Sequence, residues 1–286
     1  MARGRGKHYT PLRRTSEEIL RSLYWRDWPA RLLARLPAAN RVTVVEHRLA
    51  LLPAGCPRLR LAFASDIHLG PTTSLNLIER AFDRLAEARP DVLVLGGDYV
   101  YLDVQAHQER ILSRLVRSVK APVIVAVLGN HDLWTEHARI EATLGEAGAR
   151  VLINDAIRLP KPWADLALAG LDDPWVGDAD AQSMLNACGD ARFIATVCHS
   201  PEAINVLSPG RVGLLLCGHT HGGQLALPGP RPIVLPPGKA CRPYPFGLHD
   251  VDGTHLWVSR GLGNTEIPVR TFAPPDVAIF DLCAAP

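Results

Sequence analysis

Several features are scarce in this chain of 286 residues. No apolar run reaches the roughly 18 residues that a spanning helix needs, so none is coded. The longest stretch free of Asp, Glu, Lys and Arg is 212–230, and its two His, its Gln and its several Gly exclude a membrane segment. The six cysteines, at 56, 188, 198, 217, 241 and 283, include no C-x-x-C pair. A disulfide framework is not expected in a chain this long, and a reducing compartment follows. No signal peptide is visible. Arg13-Arg14 is a twin arginine, but Glu17 and Glu18 follow it and no apolar core comes after.

What is present is ordinary globular material, 47% hydrophobic and 21% charged, which excludes a disordered chain. The net charge of +2 hides an asymmetry. Residues 1–60 carry 13 Lys+Arg against 4 Asp+Glu, and the remainder carries 18 against 25. A basic head on an acidic body suits an anionic partner, such as a membrane surface or nucleic acid, or is simply a solvated leader. Residues 1–15 read as loose. Ser16 is expected to cap a short helix with Ile19, Leu20, Leu23 and Tyr24 on one face. Leu32, Leu33 and Leu36 form a second stripe after Pro29, with Arg21, Arg31 and Arg35 off the apolar faces. This divides the chain into a basic leader with short amphipathic helices, 1–58, and a main domain, 59–286.

From residue 59 the pattern becomes regular. Strands are expected at 59–65, 92–95, 123–128, 151–153, 166–169, 193–197 and 212–217, with helices at 74–88, 104–119, 135–147 and 202–207. Short strands at 255–259 and 277–280 close the chain. Strands alternating with helices mean an α/β sheet.

Polar residues stand at the end of one strand after another. The first ends in Asp66-Ile67-His68, the second in Gly97-Asp98 and the third in Gly129-Asn130-His131-Asp132. Asp66, Asp98 and Asn130 are spaced by 32 and 32 residues, about one β-α-β period. Two later strands end in Cys198-His199-Ser200 and Gly218-His219-Thr220-His221-Gly222-Gly223. Ligands bind at the carboxyl ends of strands in open α/β sheets. Asp66, His68, Asp98, Asn130, His199, His219 and His221 therefore meet at one edge. These oxygen and nitrogen donors suit two divalent ions of Mn, Fe or Zn if one carboxylate bridges. Asp132 either orients His131 or starts the next helix. Asp172-Asp173-Pro174-Trp175 is a turn or lines the cleft, and 235–246 shapes a pocket or covers a sheet edge. Arg260 and Arg270 are weaker candidates for a phosphate contact.

The series SDIHLG, GGDYV, GNHD, VCHS and GHTHGGQ resembles the calcineurin-like metallophosphoesterase family, above all its bacterial YkuE/YaeI-type phosphodiesterase branch. The likeness spans about 59–282. It implies a four-layer α-β-β-α sandwich with the metal site at the carboxyl ends of the strands. It also implies that Asp66, His68 and His221 hold one metal, that Asp98 bridges, and that Asn130, His199 and His219 complete the second. His131 then contacts the phosphate and protonates the leaving oxygen. The expected activity is a binuclear phosphohydrolase, most naturally a phosphodiesterase, in which a metal-activated hydroxide attacks phosphorus in line. The alternative is hydrolysis of a lipid-linked phosphoester or pyrophosphate at a membrane, with residues 16–36 touching an anionic surface reversibly. A nuclease is disfavoured by the net acidic body, and a non-catalytic scaffold by the intact series with His131. The expected place is the cytoplasm, or the periphery of its membrane.

Overall fold

The structure, a computed structural model, describes residues 4–229 and 231–284. Its strands are β1 (Thr43–Leu52), β2 (Leu59–Ala64), β3 (Val92–Leu95), β4 (Val123–Ala126), β5 (Arg150–Val151), β6 (Asp155–Arg158), β7 (Leu166–Gly170), β8 (Phe193–Val197), β9 (Leu214–Cys217), β10 (Ala226–Leu227), β11 (Arg231–Pro232), β12 (Gly247–Val251), β13 (Thr254–Val258) and β14 (Asp276–Ala284). Its α-helices are α1 (Pro11–Leu23), α2 (Trp28–Ala34), α3 (Leu75–Glu87), α4 (Ala106–Ser118), α5 (Asn130–Trp134), α6 (His137–Glu146) and α7 (Ala181–Cys188).

Two six-stranded sheets result, ordered β1-β14-β2-β3-β4-β5 and β12-β13-β9-β8-β7-β6. Strands β2 to β5 run parallel, as do β7, β8, β9 and β13. Side chains alternate between two cores with the period of two that a strand imposes. Leu61, Phe63, Val92, Val94 and Phe280 point between the sheets, where they meet Leu168, Val197, Leu214 and Leu216. Their neighbours Ala62, Leu93, Leu95 and Ile279 face outward onto α3, α4 and α6. On the far side Ala167, Ile194 and Leu215 face Met184 and Leu185 of α7. Strands buried on both faces read as continuous apolar runs, which is why they were legible. The layers are helix, sheet, sheet, helix, as expected.

The basic segment differs from the reading of residues 1–15 as loose. Residues 6 and 7 are hydrogen-bonded to the body, Gly6 N–H to Leu133 O at 2.8 Å and Lys7 N–H to Val176 O at 2.7 Å. Helix α1 starts at Pro11, capped by the Thr10 hydroxyl, five residues before Ser16. Proline fits the first helical turn, where its missing N–H costs nothing. Strand β1 pairs with β14 in parallel and so belongs to the first sheet.

Candidate metal centre

The loops after β2, β3, β4, β8 and β9 converge where the carboxyl ends of the two sheets meet. Every predicted ligand is buried, none more than 6% exposed. Their backbones are unusual. Asp66, His68, Asp98, His219 and His221 all have positive φ, between 46° and 71°. Left-handed backbone costs a non-glycine residue roughly 1–3 kcal/mol and persists only where its surroundings impose it. The crossing at Asp66 also needs Gly261, with φ +67°, because a Cβ there would stand 2.5 Å from Asp66 Cβ.

The side chains form two groups. In the first, His68 Nε2 lies 3.1 Å from His221 Nε2, and His221 Nε2 lies 3.3 Å from Asp66 Oδ1. In the second, Asn130 Oδ1 lies 3.1 Å from His199 Nε2 and 2.8 Å from His219 Nδ1. Asp98 Oδ2 stands between them, 3.5 Å from His68 Nε2 and 3.2 Å from His199 Nε2. Its other oxygen, Oδ1, accepts the His131 N–H at 2.8 Å. Three overlapping sets, Asp66-His68-His221, Asp66-Asp98-His199 and His68-Asp98-His131, have donor atoms within 4.8 Å of one another.

This donor set fits divalent metal. His199 Nδ1 faces the Gly96 carbonyl at 2.8 Å, which fixes one proton there, so that a metal would have only the Nε2 proton to displace. At His221 the opposite holds, since Nδ1 faces a donor, Arg270 Nη2, at 3.0 Å. A cation held by Nε2 would need the proton on Nδ1, and Arg270 to turn toward carbonyls it already serves, such as Arg260 O at 2.8 Å.

Burial and mutual charge divide the titrating groups. Burial alone would push Asp98 up, but the imidazoles of His199, His131 and His68 hold it well below the usual carboxylate range. Burial pushes Asp66 up. Burial would lower His199, yet Asp98 and Asp66 raise it to about 10. Burial lowers His68, His131 and His221, and with the charge of His199 takes His219 down to about 3.

His131 sits beside the cluster, packed on the rings of His68, Tyr101 and Trp134. Asp132 does not orient it. Its carboxylate accepts the N–H groups of Gly129, Asp98 and Tyr99 at 2.8–2.9 Å, starting α5 and tying two ligand loops together. A cavity of about 320 Å³ opens over Asp98, Asn130, His131, His219 and His221. The proline-rich loop does shape it, through Leu235, Pro236 and Pro237, and Trp175 lines it as well. Asp173 makes a turn, accepting the N–H of Trp175 and Val176. Arg260 pairs instead with Asp276, and Arg270 is spent on loop carbonyls. The residues missed were Arg13, Trp134, Val234, Thr265 and Glu266, which also line the cavity. No local pattern marks them.

A sandwich with this carboxylate-imidazole cluster at its strand ends is the arrangement of a metal-dependent hydrolase. Residues 59–223 match the calcineurin-like phosphoesterase family, and the chain belongs to it. It is 30% identical over 256 residues to YkuE of Bacillus subtilis, an uncharacterized metallophosphoesterase, covering 87% of this chain and 88% of that one. It is 30% identical over 244 residues to phosphodiesterase YaeI of Escherichia coli, covering 84% and 87%. A transmembrane protein with a metallophosphoesterase domain from Danio rerio is 32% identical over 250 residues, which cover 80% of this chain and 54% of that protein. The chain is thus a phosphoric ester hydrolase. Among its described residues, no helix is long and apolar enough to cross a membrane.

Proposed function

We propose that this enzyme is a binuclear metal-dependent phosphodiesterase. The observation that carries the reading is the position of Asp98 Oδ2, 3.5 Å from His68 Nε2 and 3.2 Å from His199 Nε2, each of which heads one half of the donor set. Asp66, His68 and His221 would hold one ion, Asn130, His199 and His219 the other, and Asp98 both. Two such ions would supply neutralisation of phosphoryl charge and a lowered pKa for bound water. The protein's own groups do the rest. The His131 N–H bond holds Asp98 Oδ1 and so orients Oδ2 toward the cluster. The His131 ring, on the cavity wall and neutral where burial lowers its pKa, would take up a proton as a phosphoryl anion enters and deliver it to the leaving oxygen. Elemental analysis, then turnover of Mn-loaded protein on a diester, a monoester, a cyclic nucleotide and a lipid pyrophosphate, tests the reading. Two ions per chain and a preference for the diester are expected. One ion per chain, or no turnover of any of the four, rejects it.

A second reading, that the substrate is lipid-linked and met at an anionic membrane surface, rests on the exposed face of the basic segment. Leu12, Ile19, Leu23, Trp25 and Trp28 are each at least half exposed. Tyr24, between them, donates its hydroxyl to Glu266 O at 2.6 Å, and Glu266 lines the cavity. Aromatic and arginine side chains on a short helix suit a headgroup layer. The wild type should co-sediment with anionic liposomes at low salt and release as salt rises. A Trp25→Ser, Trp28→Ser double variant should bind several-fold less. Wild type that ignores the liposomes at low salt removes this reading and leaves a small diester as substrate.

A further inference from the structure

We propose that Arg13 is the residue that binds the substrate's phosphoryl oxygen on the His131 side of the cavity, and that residues 4–17 are a built wall of the active site. The inference deepens the phosphodiesterase reading and rests on it for the identity of the anion. Among the described residues, Arg13 is the one Lys or Arg that lines the cavity. Its Cζ lies over the Trp134 ring, 3.9 Å from the centroid, and its Nε donates to Glu17 Oε1 at 3.0 Å. Its Nη2 stands 3.4 and 3.5 Å from the two ring nitrogens of His131. A donor nearly equidistant from both nitrogens lies off the lone-pair direction of each, so this is proximity with no aligned hydrogen bond. The guanidinium is therefore anchored at one end and presents N–H groups to the cavity at the other. That fork geometry matches a phosphoryl group.

The charges around Arg13 point the same way. The Glu17 carboxylate is shared, accepting also from the Tyr9 hydroxyl at 2.8 Å and lying 3.6 Å from Arg21. Arg13 thus keeps net positive charge beside an imidazole. A phosphoryl anion entering the cavity would meet that charge.

The segment that delivers Arg13 is tied to the elements that carry His131, Trp134 and Trp175. Arg5 forms a two-pronged pair with Asp172, at 2.6 and 2.9 Å. Trp134 Nε1 donates to Lys7 O at 2.7 Å, Lys7 pairs with Asp178, and His8 stacks on Trp175. At Gly6 the approach is so close that a Cβ would stand 2.7 Å from Trp134 Cδ1. These contacts fix the helix register that aims Arg13 inward.

The test compares full-length, Mn-loaded wild type with Arg13→Ala and Arg13→Lys. Binding of inorganic phosphate is measured by calorimetry, together with metal content, melting temperature and the kcat and KM for a monoester and a diester. Arg13→Ala should keep both ions and its fold, weaken phosphate binding roughly 10–100-fold, and lose more on the doubly charged monoester than on the diester. Arg13→Lys should recover part of the binding, since it keeps the charge and loses the fork. Phosphate affinity within twofold of wild type in Arg13→Ala overturns the proposal, whatever the turnover. Arg13-dependent phosphate binding with no hydrolysis of any ester would sink the phosphodiesterase reading and leave this one standing. Wild type that binds no phosphate rejects both.

Discussion

The floor and the wall of the cavity are built by opposite means. The floor comes from short blocks at strand ends, in most of which a glycine stands within two residues of a proposed ligand. Five of the seven residues proposed as donors have left-handed backbone, so local chain geometry places them. The wall has no such strain at Arg13, Trp134 or Trp175, and within residues 4–17 only His8 shares it, with φ 61°. It is placed by contacts across long sequence distances, such as Arg5 to Asp172 and Trp134 to Lys7. A floor set by the backbone should survive loss of the wall, whereas a wall without its floor has no chemistry to serve.

The largest break in that comparison is Asp98→Ala. Because Asp98 Oδ2 stands between the two halves of the donor set, its loss should release both ions. Turnover should fall by roughly 10⁴ or more, the scale of removing one member of a catalytic unit. Elemental analysis checks it, and a variant that keeps two ions contradicts the bridging role.

His131 divides floor from wall, since it follows a ligand in sequence yet packs on Trp134. Its ring nitrogen also falls within 4.8 Å of donor atoms on His68 and Asp98, so its two candidate roles differ in metal count. As a proton donor, His131→Ala should retain both ions and lose roughly 10²–10⁴ in kcat. The loss should shrink for esters with good leaving groups, such as nitrophenol, which depart without protonation. A uniform loss makes it a phosphate-positioning group, and loss of an ion makes it a ligand.

The same contrast explains what the sequence disclosed. The three apolar layers were legible because β2, β3, β4, β8 and β9 are largely buried on both faces and spell apolar runs. The seven residues proposed as donors stand out because Asp-x-His, Gly-Asp, Gly-Asn-His, Cys-His-Ser and Gly-His-x-His sit where such runs stop. The helix expected at 135–147 begins at His137, because Asn130 to Trp134 form a separate short helix whose first turn is stitched by Asp132. Ser16 looked like a cap because two acids follow it, but Glu17 turns inward to Tyr9 and Arg13, and Thr10 caps instead. Nothing in residues 1–15 distinguishes Arg13 from the other arginines. Its place depends on Trp134 and Asp172, more than a hundred residues away.

The smallest effect, and the sharpest test of the division, is Asp172→Asn. Asp172 accepts two bonds from Arg5 and one from the Asp178 N–H, and it touches no ligand. Burial would raise its pKa, but the Arg5 hydrogen bond and charge outweigh that and hold it below the usual carboxylate value. A depressed folded pKa stabilises the protein above the unfolded value, near 3.9, and that contribution is lost as pH falls through the folded one. The variant should therefore be less stable by about 2 kcal/mol at neutral pH, a drop of several degrees in Tm. The gap to wild type should persist down to about pH 4 and close only below it. Metal content should stay at two ions, while KM for phosphoesters rises as the segment carrying Arg13 loosens. Loss of an ion from this variant would show that the wall also holds the floor in place.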